Sequence, residues 1–319
     1  MTRLTSPRIL VIGELNVDIV VTGFKSIPKP GVEILASDCE LTLGSASAIF
    51  AAGISKLGHR VTFVSQVGRD GFGDFCLKAL EQAGVATDNV AWIDEKTGVT
   101  IALSIGRDRA LLTYQGAIST FTADRVDRSL LEGRQHLHLT SYYLQHGLQP
   151  SFADLLSEAK IEGLTTSFDP NSDPAGEWSA GIDRVMPHTD ILFMNEREAL
   201  NLTGKPAAKS ALKVLAELVS CAVIKLGHRG AIAMKDNQLF THAGFKIDAV
   251  DSTGAGDSFD AGFTSAYLRK AEVVECLRIG NACGALSALK PGGTAGQPTL
   301  RVLDDFLRSA EPGGPPRKG

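Results

Sequence analysis

The segment Val250-Asp251-Ser252-Thr253-Gly254-Ala255-Gly256-Asp257-Ser258-Phe259 sets two glycines and then a carboxylate at the mouth of a helix. From Asp257 to Lys270 the apolar residues Phe259, Phe263, Ala266 and Tyr267 recur at the spacing of a helix with one buried face. Gly254 and Gly256 can take backbone angles closed to other residues, so successive N–H groups can point into one concavity. The helix N-terminus adds a partial positive charge there, and the combination is a seat for phosphate. A carboxylate in such a seat is costly unless it accepts a proton from an attacking hydroxyl, and the helix N-terminus keeps Asp257 ionised for that task. A lone GxGD is more often a capped helix; here the other polar residues tip the balance towards chemistry.

Gly13-Glu14-Leu15-Asn16-Val17-Asp18 follows the first apolar run. Asn16 and Asp18, two apart on an extended segment, face the same way and can bond adjacent hydroxyls of a sugar, which lose water on binding. Asn195-Glu196-Arg197-Glu198 places an amide and a carboxylate one helical turn apart, a suitable outer shell for hydrated magnesium. Lys225-Leu226-Gly227-His228-Arg229-Gly230 is a glycine turn that lets a nucleotide approach the backbone. Taken singly, each is more simply a turn or a helix start.

The elements that must position these residues alternate. Ile9–Ile12, Val61–Val67, His136–Leu139, Thr165–Phe168, Ile191–Met194 and Ala222–Lys225 read as strands, with helices predicted at Ala46–Leu57, Phe72–Ala83, Pro150–Glu162, Glu196–Leu202 and Ala208–Leu218. That order predicts an α/β fold whose parallel strands are covered on both faces. Ligands of an open α/β sheet bind beyond the carboxyl ends of the strands. Residues 15–43 and 91–116 alternate as antiparallel strands do and are expected to pair into a small projecting sheet, read as a lid. Residues 1–310 are expected to form one domain. The tail 311–319 has no apolar content to bury and is expected to be disordered.

With 319 residues and a net charge of −4, the chain offers no basic face for nucleic acid. Its apolar runs are too short to span a bilayer, and its N-terminus lacks a leader pattern, so a cytoplasmic protein is expected. Cys39, Cys76, Cys221, Cys276 and Cys283 contain no CxxC. Cys276 and Cys283 are seven apart on a predicted helix, a rise of roughly 10 Å that forbids a disulfide. All five read as reduced core residues, and His136 and His138, alternating on a strand, read as structural.

In this order the residues resemble the ribokinase-like carbohydrate kinase family, often called PfkB, over residues 8–309. The most specific element is DxTGAGDxFxxGF at Asp251–Phe263; Leu43-Gly44-Ser45-Ala46-Ser47-Ala48 and Val67-Gly68-Arg69-Asp70-Gly71-Phe72-Gly73 support it. The resemblance implies a three-layer fold with a mainly parallel central sheet and a small antiparallel β lid. It implies Asp257 as base and the backbone of Gly254, Ala255 and Gly256 as anion hole. It places Asn16, Asp18, Gly44 and Ser45 against the sugar, and Asn195, Lys225, Gly227, Gly230 and Asn281 against the nucleotide. Asn195 and Glu198 would order Mg2+ through water, and Asp251, Thr253, Ala288 and Gly293 would hold a monovalent cation, K+. ATP is the implied phosphoryl donor, and a homodimer through the lid is the implied assembly.

Two departures bear on the acceptor. Leu43 and Ala48 stand where the family commonly has a second glycine and a sugar-touching Asn. Asp173 stands where members that bind acidic sugars often carry Arg, which favours a neutral sugar. Arg107 and Arg109 could meet an anion, and Tyr114, Tyr142 and Tyr143 could line a pocket, although solvation and core packing explain them as well. The alternatives are a nucleoside kinase of the same fold and a sugar-binding protein without catalysis. No GxGxxG follows the first strand, and Gly204-Lys205 is followed by Pro206, so neither a dinucleotide fold nor a P-loop is indicated.

Overall fold

A computed structural model describes residues 6–105, 108–178 and 181–309. Its strands are β1 (Arg8–Ile12), β2 (Asn16–Thr22), β3 (Asp38–Leu43), β4 (Arg60–Gly68), β5 (Ala86–Ile93), β6 (Gly98–Ile105), β7 (Asp108–Tyr114), β8 (His136–Thr140), β9 (Thr165–Asp169), β10 (Ile191–Asn195), β11 (Cys221–Lys225), β12 (Ala231–Lys235) and β13 (Gln238–His242). The helices are α1 (Ala46–Lys56), α2 (Gly71–Gln82), α3 (Ala117–Thr120), α4 (Phe152–Ile161), α5 (Glu196–Thr203), α6 (Ala208–Ala216), α7 (Ala255–Leu268), α8 (Val273–Ser287) and α9 (Leu300–Ser309).

The main sheet runs β13-β12-β11-β10-β9-β8-β1-β4-β5. It is parallel from β5 to β11, and β12 and β13 are antiparallel at one edge. Both faces of β1 are buried, which is why it reads as an unbroken apolar run. Leu10 and Ile12 join a core with Phe152 and Leu155 of α4 and Leu212 of α6. Ile9 and Val11 join another with Phe50 and Ile54 of α1 and Leu80 of α2. Under β10, Phe193 meets Phe263 of α7 edge-on at 5.4 Å. These are the three layers expected.

The strand order runs outward in both directions from β1, which lies between β4 and β8. Such a switch point opens a crevice beyond the carboxyl ends of the strands. The turns after β1, β8 and β9 all border it.

The small sheet has the order β3-β2-β6-β7. Its outer pairs are antiparallel and its middle pair, β2 with β6, is parallel. Residues 91–93, expected in the lid, instead finish β5 and pair with β4 in the main sheet. One rung sets Leu41, Ile19, Ile101 and Leu112 side by side, with Leu112 67% exposed. Asp70 roots this sheet to the body. It caps α2 through the N–H groups of Phe72 and Gly73, and it accepts from Thr97 N at 2.9 Å and Thr97 Oγ1 at 2.8 Å.

Cys76, Cys221, Cys276 and Cys283 are buried free thiols, but Cys39 is exposed on β3, so the core reading fails for that residue. His136 and His138 are buried and share the Ser167 hydroxyl, a structural arrangement as expected. No helix among the described residues is long and apolar enough to cross a membrane. The tail 311–319 and Arg107 lie outside the described residues.

Candidate active site

The glycine turn and α7 build the phosphate end. Gly254, at φ 67°, precedes Ala255, and a side chain there would begin 2.6 Å from Gly293 Cα. The left-handed angle and the close approach both demand glycine. Asp257 lies in the first turn of α7. The Ala255 N–H is taken by Ser252 O at 3.2 Å, whereas that of Gly256 has no acceptor among the described residues.

Beside Gly256 lies the Lys225 ammonium, 3.3 Å from where a side chain at 256 would begin. It is largely enclosed and donates to Asp169 Oδ2 at 2.7 Å and to Asp260 Oδ2 at 2.9 Å. Asp169, Asp257 and Asp260 each bring an oxygen within 4.8 Å of the others. Burial opposes the charge of Lys225, but the carboxylates of Asp169 and Asp260 outweigh it and hold the lysine above its ordinary range. Burial likewise pushes the Asp260 carboxyl well up, partly offset by Lys225. One cation thus faces three carboxyl groups in this cluster. Lys225, expected against the nucleotide, is committed to this network.

Asn195 and Glu198 come together as a reciprocal cap of α5. Glu198 N donates to Asn195 Oδ1 at 2.9 Å, and Asn195 N donates to Glu198 Oε2 at 2.8 Å. Ser172 Oγ adds a 3.0 Å bond to Glu198 Oε1, and burial raises the Glu198 carboxyl. Direct chelation would break these bonds, so the pair fits a hydrated magnesium ion better than a stripped one.

Gly230 packs on residues 242–244, while nothing lies within 4 Å of where a side chain at Gly227 would begin. That leaves the turn open to a planar group. Asn281 of α8 borders it, its amide donating towards His242 Nδ1 at 3.1 Å. Asp251, Thr253 and Ala288 are also brought together, while Gly293 lies against Gly254. Asp251 Oδ1 accepts from Thr253 N and Oγ1, Asp251 Oδ2 accepts from Gly292 N, and the Ala288 carbonyl accepts from Val250 N. This all-oxygen set suits a hard cation.

At the acceptor end, Asn16 and Asp18 face the same way from β2, with Asn16 Nδ2 donating to Asp18 Oδ1 at 3.1 Å. Gly44 closes on them: a side chain there would begin 2.2 Å from Asp18 Oδ1 and 2.6 Å from Asn16 Nδ2. Ser45 adjoins, but its hydroxyl donates to Glu14 O and accepts from Ala48 N as the cap of α1. Leu43 and Ala48, the latter on α1, are both buried in the same core. Asp173 organises its own loop, accepting from the N–H groups of Ala175, Glu177 and Trp178. Tyr142 and Tyr143 are core residues, and Tyr114 is exposed with its hydroxyl on Glu95.

Sequence reasoning passed over Asp169, Asp260 and Glu14. Asp169 ends β9 as Asp257's neighbour in space, and a strand-terminal acid at the sheet's carboxyl edge was its only signal. Asp260, one turn beyond Asp257, was hidden inside the helical pattern.

Residues 6–300 match the pfkB family carbohydrate kinases, and the chain belongs to that family. It is a carbohydrate kinase, a phosphotransferase. It is 30% identical over 249 residues to an uncharacterized sugar kinase of Archaeoglobus fulgidus, covering 77% of this chain and 98% of that one. It is 29% identical over 312 residues to the ribokinase of Haemophilus influenzae, covering 94% and 98%. A provisionally named ribokinase II of Escherichia coli, solved with ATP and Mg2+, superimposes with a TM-score of 0.82 at 26% identity, over 94% of this chain and 99% of that one. Relatives named fructokinase and nucleoside kinase match as well. Kinship thus settles the class of reaction and leaves the acceptor open.

Proposed function

We propose that the chain transfers the γ-phosphoryl group of ATP to a hydroxyl of a neutral sugar, as a ribokinase- or fructokinase-like enzyme formed by residues 1–310. The observation that carries this is Asp257 in the first turn of α7, behind left-handed Gly254 and beside the Lys225 cluster. Asn16 and Asp18 orient the acceptor, and the carboxylate of Asp18 favours an uncharged polyol over an acidic sugar. Asp257 accepts the proton of the attacking hydroxyl. The backbone of Gly254, Ala255 and Gly256, at the positive end of α7, stabilises the charge on the transferred group. Magnesium, held through water by Asn195 and Glu198, would supply further neutralisation when bound. The 227–230 turn and Asn281 seat the nucleotide, and K+ beside Asp251 supports the anion hole from behind. This activity places the protein in the cytoplasm, with its ATP.

Asp257→Asn keeps the size and helix-capping ability of the side chain but cannot take the proton. Its kcat is expected to fall by about 10²–10⁴-fold, with ATP affinity held or improved. A near wild-type rate in purified Asp257→Asn would sink the mechanism. Assayed with MgATP, D-ribose or D-fructose is expected to be turned over in preference to adenosine; the reverse preference would make this a nucleoside kinase.

The apolar rung of Leu41, Ile19, Ile101 and Leu112 supports a homodimer closed through the small sheets. Sedimentation at micromolar concentration is expected to show a dimer that Leu112→Asp dissociates. A wild-type monomer would remove that assembly.

A further inference from the structure

Glu14 has no part in the reaction as laid out, yet its side chain is among the most enclosed acids of the chain, with the residue only 3% exposed. Its carboxylate accepts from Ser47 Oγ at 2.6 Å, Ser47 N at 3.2 Å and Ser141 Oγ at 2.8 Å. Ser141 Oγ in turn accepts from Asn171 Nδ2 at 3.0 Å, and Asn171 N donates to Asp169 Oδ1 at 2.9 Å. Asp169 is the partner of Lys225. One chain of hydrogen bonds therefore runs from the start of α1, beside Gly44, to the acids next to Asp257. It crosses the turns after β1, β8 and β9, at the switch point of the sheet.

Two observations show that this chain is held against resistance. Ser45 and Ser141, on or beside it, have φ of 68° and 55°, angles unfavourable for residues other than glycine and asparagine. Burial raises the Glu14 carboxyl above its usual range, and the hydrogen bonds only partly offset this. The stability linked to such a raised carboxyl is fullest below its unfolded pKa and is lost as pH rises through the folded value. The ionised form of Glu14 is therefore the less favoured one in the folded state.

What an anion supplies that a neutral residue cannot is direction. An ionised carboxylate only accepts, so the hydroxyls of Ser47 and Ser141 must both donate to it. That leaves Ser141 Oγ to receive the Asn171 amide, which also donates to Thr140 Oγ1 at 2.8 Å, so that the Asn171 carbonyl faces away from Ser141. A glutamine fills the same space but can donate to one serine and reverse that link.

We propose that Glu14 is a positioning residue of the acceptor pocket, setting the direction of the Ser47–Glu14–Ser141–Asn171 chain and thereby the spacing of Gly44 from Asp169. Its kinetic consequence rests on the kinase reading above. Glu14→Gln is expected to raise the KM for D-ribose or D-fructose at least tenfold, to leave the KM for MgATP within twofold, and to keep or raise Tm at pH 7.5. Ser141→Ala, which removes the donor to Glu14 Oε1 and cuts the chain while keeping the carboxylate itself, is expected to give the same sugar-only defect. An unchanged sugar KM in both variants overturns the proposal, as does a lowered Tm with equal loss for both substrates. The sugar-dependent rise in Tm without ATP separates the two readings. A wild type that shows the rise but no turnover refutes the kinase, while loss of the rise in Glu14→Gln still supports the positioning role. A wild type showing neither counts against both.

Discussion

The two ends of the crevice are built from different forces. At the phosphate end a buried ammonium is wedged among acids, and the helix and turn that carry them belong to the main body. At the acceptor end Asn16 and Asp18 sit on a strand of the small sheet, with the backbone of Gly44 closing on them. Charge in a buried setting is unforgiving, since removing one partner strands the others. Hydrogen bonds on a half-exposed strand can be exchanged one at a time.

The contrast breaks most sharply at Lys225. Lys225→Met leaves Asp169, Asp260 and Asp257 facing one another without a cation, and the loss in stability is expected to be about 3–5 kcal/mol, read from urea unfolding. Adding Asp260→Asn to that variant removes one of the stranded acids and is expected to recover part of the loss. A single variant with the wild-type midpoint would show that charge does not hold this end together.

Asp18→Ala tests the opposite end. Loss of one charge-assisted contact should raise the sugar KM about 10- to 150-fold, from roughly 1.5–3 kcal/mol, with MgATP binding and the unfolding midpoint close to wild type. A defect in ATP binding of equal size would erase the distinction between the two ends.

The smallest expected effect is that of potassium. On the proposed reading K+ would act on the anion hole only through the turn of Asp251 and Thr253, so replacing it with a large organic cation should lower kcat by several-fold and spare the sugar KM, in keeping with the modest coupling of about 1–3 kcal/mol typical between sites. A rate indifferent to K+ would reduce this region to the structural turn that its hydrogen bonds already define.

Local pattern carried the layers of the fold, because burial on both faces writes itself as apolar runs and as 3.6-residue periodicity. Asn16 and Asp18 were legible for a related reason: two residues apart on a strand is one face. The partners of Lys225 were not, since Asp169 and Asp260 stand 56 and 35 residues away and no spacing encodes that meeting. Strand direction was equally hidden. The alternation of residues 15–43 and 91–116 is the same for either direction, and β2 and β6 are parallel because β4 and β5 intervene between them in the chain. The β12–β13 hairpin went unread although Asp236 and Asn237, both left-handed at φ 50° and 58°, are a usual signal for its turn.

The root of the small sheet at Thr97, held by Asp70 through two hydrogen bonds, carries a mechanical consequence. Asn16 pairs with Gly98, the next residue along, in the middle of that sheet. On the proposed reading, the hand that grips the acceptor and the door that covers it would thus be one piece of backbone. Swinging the sheet outward about that root would loosen the grip in the same stroke that clears the exit, so a phosphorylated product would leave without a second moving part.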